Sequence, residues 1–106
     1  MEKIIDRIRK FNEDRDWLQF HKPANLAKSL VIEASELLEL YQWSDKVNSI
    51  ESLKDELADV FMYALMIADH YGFNINEVIM SKINKNEEKY PIEKSKGKSN
   101  KYTDLK

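Results

Sequence analysis

Residues 26–40 read Leu26-Ala27-Lys28-Ser29-Leu30-Val31-Ile32-Glu33-Ala34-Ser35-Glu36-Leu37-Leu38-Glu39-Leu40. Within them Leu26, Leu30, Glu33, Leu37 and Leu40 recur at steps of four, three, four and three. That spacing is one face of an α-helix, so the stretch predicts an amphipathic helix. Pro23 suits its first turn, where a missing N–H is no loss, and the helix is expected to run to about Trp43. Leu53, Glu56, Val60, Tyr63 and Ile67 repeat the pattern in a third helix. Asn48, Ser49 and Ser52 offer N-caps there, Ser52 with Asp55 fits a capping box, and Gly72 supplies a C-cap. Upstream, Ile4, Ile8 and Phe11 place a first helix over residues 2–16. Downstream, Asn74 with Glu77 opens a fourth, which Pro91 must end. Four helices with short connections predict an all-α fold, by default an antiparallel four-helix bundle. Residues 1–91 are expected to form the domain, and residues 92–106 a polar, Lys-rich, irregular tail.

Composition agrees. A chain of 106 residues has room for one domain. Two Gly and two Pro are too few for the turns of a many-stranded sheet. Without cysteine there is neither disulfide nor thiolate metal site. No apolar run is long enough to cross a bilayer, and the first residues do not resemble a signal peptide, so a cytoplasmic protein is expected. The net charge is only −2, but its distribution is uneven. Residues 28–80 carry ten acids against three lysines, and residues 81–106 eight lysines against four acids. An acidic centre and a basic segment able to meet an anion follow. No basic stripe marks the folded body, which argues against nucleic-acid binding.

The acids hold the functional signal. Four acidic pairs at i, i+3 occur among 19 acids, about what chance placement gives, so spacing alone decides nothing. Position does. Glu33 and Glu56 occupy slots where the helical stripes call for hydrophobes, and a buried unpaired charge there is costly. The plain alternatives are a rim position or a lysine reaching inward. Register favours a cluster instead. With the turn centred near Lys46, Glu36 and Glu56 lie ten residues either side of it, and Glu33 and Asp59 thirteen. Two antiparallel helices then carry all four carboxylates at matching heights, where they repel unless a cation joins them. An all-oxygen ligand set points to Mg²⁺ or Mn²⁺ rather than Zn²⁺, and Mg²⁺ keeps positions open for substrate phosphates. Lys82, Asn86 and Lys89 fall at i, i+4, i+7 along one face of the fourth helix and suit phosphate oxygens. Trp17, Trp43 and Tyr63 are either core or stacking surfaces for a base.

These residues resemble the all-α nucleotide pyrophosphohydrolases of the MazG-like superfamily, whose signature is ExxE on one helix and ExxD on the next. Here those motifs are Glu33-Ala34-Ser35-Glu36 and Glu56-Leu57-Ala58-Asp59. The chain looks most like the dCTP pyrophosphatase branch, through Arg15-Asp16-Trp17, Gln19-Phe20-His21, Pro23, Asn25, Leu26, Gln42-Trp43, Tyr63, Ser81-Lys82, Asn86, Lys89-Tyr90-Pro91 and Lys101-Tyr102-Thr103-Asp104-Leu105. The resemblance implies cleavage between the α- and β-phosphates of a nucleoside triphosphate, giving a monophosphate and pyrophosphate. It implies Mg²⁺ held by Glu33, Glu36, Glu56 and Asp59, and phosphates met by Lys82, Asn86 and Lys89. It places Trp17, Trp43 and Tyr63 near the base or sugar, and it implies a homotetramer built as a dimer of dimers. Glu36 is the residue we expect to orient or deprotonate the attacking water. Eukaryotic members of the branch carry a histidine nine residues before the tryptophan of Arg-Asp-Trp; this chain has Ile8, which leaves the base open. The rival readings are another substrate, such as dUTP or phosphoribosyl-ATP, and a non-catalytic helical interaction module.

Overall fold

The computed structural model describes residues 1–99 and 103; Lys101, Tyr102, Asp104 and Leu105 of the resemblance lie outside them. Five helices and no strand occur among the described residues: α1 (Glu2–Asp14), α2 (Pro23–Glu39), α3 (Ile50–Tyr71), α4 (Ile75–Lys89) and α5 (Ile92–Ser95), with a 3₁₀ turn over Leu18–Phe20. They fall into two compact units, Met1–Phe73 and Asn74–Lys106.

In the first unit α2 and α3 form an antiparallel hairpin, and α1 packs on α3. Its buried apolar side chains are Ile8, Leu26, Leu65 and Ala68, from all three helices. The face that α1 buries is not the one expected from Ile4 and Phe11, both of which are exposed. Ile8 is joined instead by half-buried Ile5 and by Asn12, which is only 3 % exposed. The cause is the partner: α1 meets the C-terminal part of α3, where its centre and not its edges faces Leu65 and Ala68. Nearer the hairpin turn, Val31, Ile32, Leu38, Leu57 and Phe61 remain exposed.

The Arg15-to-Asn25 segment is a set of local devices that turn the chain from α1 into α2. Asp16 takes the left-handed conformation at φ 56°, and Trp17 N–H donates back to the Asn12 carbonyl at 2.9 Å, a helix-ending motif usually built on glycine. Gln19 donates to the Asp16 carbonyl and carboxylate at 2.9 and 3.0 Å. Asn25 donates to the Phe20 carbonyl at 3.1 Å. The Arg15 guanidinium lies 3.7 Å from the centre of the Phe11 ring, on which Trp17 packs edge-on at 5.6 Å.

Several boundaries follow the sequence, and three differ. Gly72 ends α3 at φ 69°, and the Asn74 side chain accepts from Glu77 N–H at 3.1 Å at the head of α4. Helix α2 stops at Glu39 rather than Trp43, because the last N–H groups turn to the carbonyls three residues back, through Gln42 to Glu39. Ser49 is the cap of α3, accepting from Ser52 N–H at 3.2 Å, so Ser52 is already inside the helix and its expected box with Asp55 does not form. Past Pro91 the chain is not wholly irregular, since residues 92–95 make one more helical turn. Among the described residues no helix is long and apolar enough to cross a membrane.

Candidate metal centre

Antiparallel pairing of α2 and α3 brings the expected acids together. One carboxylate oxygen each from Glu33, Glu56 and Asp59 lies within 4.8 Å of the others. Oxygens this close could hold a single hard cation, which takes oxygen ligands. Glu36 is not one of the three converging carboxylates, but it acts on both Glu33 and Glu56. The hydrogen bond with Glu36, partial burial and the charges of Glu36, Asp59 and Glu56 push Glu33 up to about 7. For Glu56 the hydrogen bond with Glu36, partial burial and the charges of Glu36, Asp59 and Asp55 act in the same upward direction.

The donor set fits a cation. Glu33 Oε2 and Glu56 Oε2 are buried without a hydrogen-bond partner. Arg9 pairs with Asp6 and Asp69, Lys10 with Asp14, and Lys54 with Glu51, none of them with the four acids. Buried acceptors facing one another call for something positive between them.

The other expected site residues are spread out. Tyr63 is half-buried on α3, one turn beyond Asp59. Trp17 lies on Phe11 at the α1–α2 connection, and Trp43 projects from the hairpin turn, 89 % exposed. Lys82, Asn86 and Lys89 lie on α4, in the second unit. What the sequence reading missed is a cavity of about 230 Å³ within the first unit, lined in part by Ile8, Asn12, His21, Leu26, Met66 and His70. Its signal was Asn12, four residues after Ile8 on a helix face that packing buries.

Among the described residues the fold is all-helical and carries a converged carboxylate cluster on two paired helices. Residues 28–105 match the profile of the MazG-like family. Over 98 % of this chain and 69 % of theirs, dCTP pyrophosphatase 1 of Mus musculus is 35 % identical and that of Homo sapiens 33 %. The crystal structure of a pyrophosphatase from Archaeoglobus fulgidus superposes with a TM-score of 0.80 at 38 % identity, covering 86 % of this chain and 92 % of that one. The chain belongs to the MazG-like family and is a nucleotide pyrophosphohydrolase.

Proposed function

We propose that the protein is a Mg²⁺-dependent nucleoside triphosphate pyrophosphohydrolase of the cytoplasm, converting a deoxynucleoside triphosphate such as dCTP to its monophosphate and pyrophosphate. The observation that carries this reading is the convergence of Glu33, Glu56 and Asp59 with two buried, unpartnered oxygens. Glu33, Glu36, Glu56 and Asp59 hold the ion, which when bound offsets negative charge on the phosphoanhydride. Glu36 orients the attacking water and accepts its proton. Lys82, Asn86 and Lys89 meet phosphate oxygens, and Trp17, Trp43 and Tyr63 lie against the base or sugar. The dCTP preference is carried over from the relatives' names.

Residues 1–91 act as one domain, a four-helix bundle, with residues 92–106 as a tail. We further propose a homotetramer, a dimer of dimers. The support is the half of the hairpin that α1 leaves bare: Val31, Leu38 and Phe61 are 65, 70 and 59 % exposed, more apolar surface than an isolated small domain keeps in water. A monomeric mass by light scattering at micromolar concentration would count against it.

The test of the activity is pyrophosphate release from a panel including dCTP, dUTP and phosphoribosyl-ATP, with Mg²⁺ and in EDTA. We expect monophosphate and pyrophosphate from at least one deoxynucleotide, and only with the metal. Inorganic phosphate and a diphosphate as products would sink the assignment of the bond cleaved.

A further inference from the structure

We propose that Asn12 is a specificity-determining residue, the buried amide that hydrogen-bonds the edge of the substrate's base in the cavity between α1, α3 and the 3₁₀ turn. The inference rests on the preceding reading that a nucleotide's phosphates are held at the carboxylates, and departs from it in one point: the base lies away from Trp43, which is on the hairpin-turn side of them.

The Asn12 side chain is an amide in an unsuitable place unless something joins it. It is 3 % exposed, and its Nδ2 donates only to the Met66 sulfur at 3.6 Å, a weak acceptor. Across the same cavity His21 Nδ1 is buried and unpartnered. Two polar groups short of partners, set in walls built from Ile5, Ile8, Leu26 and Leu65, make the mixed lining of a small-ligand pocket. Buried polar atoms without partners are rare in folded proteins and need an explanation.

Size and position say which part of a ligand fits. An apolar cavity of about 150 Å³ holds a benzene ring, so about 230 Å³ admits one nucleobase and excludes a whole nucleotide. Met66 follows Asp59 by seven residues on α3, and Leu26 precedes Glu33 by seven on α2. Seven residues are two helical turns, so the cavity lies on the carboxylate face of the hairpin, about 10.5 Å along it. A sugar and one phosphate bridge such a gap, and half-buried Tyr63 lies between at the height of the sugar. An amide can donate and accept side by side, as the hydrogen-bonding edge of a base does. A site built on such a bond rejects bases that cannot complete it.

The experiment measures kcat/KM for the four common deoxynucleoside triphosphates with wild type, Asn12→Leu and Asn12→Asp. Leucine keeps the volume and removes the hydrogen bonds; aspartate keeps the acceptor and removes the donor. We expect Asn12→Leu to shrink the ratio between the best and worst base by roughly tenfold or more, and Asn12→Asp to reorder the bases. Loss of stability alone would lower all four nucleotides together and leave their ranking intact, and that result in folded Asn12→Leu overturns the proposal. A second measurement does not depend on any Asn12 variant folding. With ¹³C-methyl methionine in wild type, the Met66 methyl, assigned through Met66→Leu, should shift when Mg²⁺ and the preferred monophosphate product are added. No Met66 shift at a product concentration that fully inhibits turnover places the base elsewhere and overturns the proposal. Failure of wild type to release pyrophosphate from any nucleotide overturns the preceding reading as well, whereas turnover with an unchanged ranking overturns this one alone.

Discussion

Arg9 and Asp69, sixty residues apart, meet through two side-by-side hydrogen bonds: Arg9 Nε donates to Oδ2 at 3.2 Å and Nη2 to Oδ1 at 2.6 Å. This planar fork joins α1 to the last turns of α3 and forms part of the cavity lining. The hydrogen bond to Asp69 and the charge of that carboxylate raise the Arg9 pKa further above its ordinary value. Lysine cannot reproduce the two-point contact. Arg9→Lys and Asp69→Asn should both lower the melting temperature. Because the pair is partly exposed, the wild-type advantage should shrink as NaCl is added. A thermal scan at low and high salt checks this, and equal melting temperatures at low salt would show that α1 is held by Ile8 and its apolar neighbours alone.

Asp16 ends α1 in a conformation that side chains with a Cβ disfavour. Such a residue loses about 1–2 kcal/mol relative to its preferred region. Asp16→Gly should therefore be as stable as wild type or gain up to about 1 kcal/mol, even without the bond from Gln19. Asp16→Val, β-branched and unable to accept that bond, should lose about 1–2 kcal/mol or more. Urea denaturation of both variants decides; a Gly variant clearly less stable than wild type would assign the stability to the Gln19 contact.

The carboxylate quartet predicts an unusual response to metal. Asp59→Asn and Glu33→Gln each remove one of the repelling charges, so in EDTA both should melt at or above the wild-type temperature. Added Mg²⁺ should stabilise wild type through its Kd and help the variants less. Both variants should lose most activity. Glu13→Gln, far along α1, should change neither response. If Asp59→Asn gains as much from Mg²⁺ as wild type does, the acids are a solvated face.

The apo protein should also lose stability as pH rises. Glu33 is raised from 4.5 to about 7 in the folded chain, so the folded state holds its proton more tightly than the unfolded chain does. That contribution is fully present below pH 4.5 and is lost as pH climbs through about 7. In EDTA the melting temperature should fall across this window, against the usual behaviour of surface carboxylates. Saturating Mg²⁺, which binds the deprotonated cluster, should reduce or abolish the fall. Glu33→Gln should flatten the EDTA profile; an unchanged slope in that variant would assign it to other groups.

Trp43 offers a test of base or sugar contact that barely disturbs the fold, since it is 89 % exposed. If the base stacks on Trp43, Trp43→Ala should leave the melting temperature nearly unchanged and raise KM for the preferred nucleotide, consistent with about 1–3 kcal/mol for a lost stacking contact; if the base lies in the cavity beside Asn12, KM should not change. Trp17→Ala should raise KM and also lower stability, because Trp17 packs on Phe11. An unchanged KM in folded Trp43→Ala would remove that residue from the site.

Helix ends at Pro23, Gly72, Asn74 and Pro91 are legible in the sequence because each residue acts through its own backbone or nearest turn. A missing N–H, a tolerated positive φ and a side-chain cap need no distant partner. The carboxylate cluster is legible in part, since two helices joined by a short turn can pair in few registers, and counting outward from Lys46 pairs Glu36 with Glu56 and Glu33 with Asp59, of which Glu33, Glu56 and Asp59 converge. Tertiary structure decided the rest. Whether Ile4 or Asn12 faces inward depends on how α1 is rotated against Leu65 and Ala68, and periodicity alone allows either. Ser49 and Ser52 are equally good caps in isolation; the packed hairpin sets which one α3 uses. The cavity beside Asn12 is space left by three segments that meet only when folded, and no residue type encodes space. Chemistry carried by a residue or its turn can be read along the chain, whereas burial belongs to pairs of surfaces and exists only once those surfaces meet.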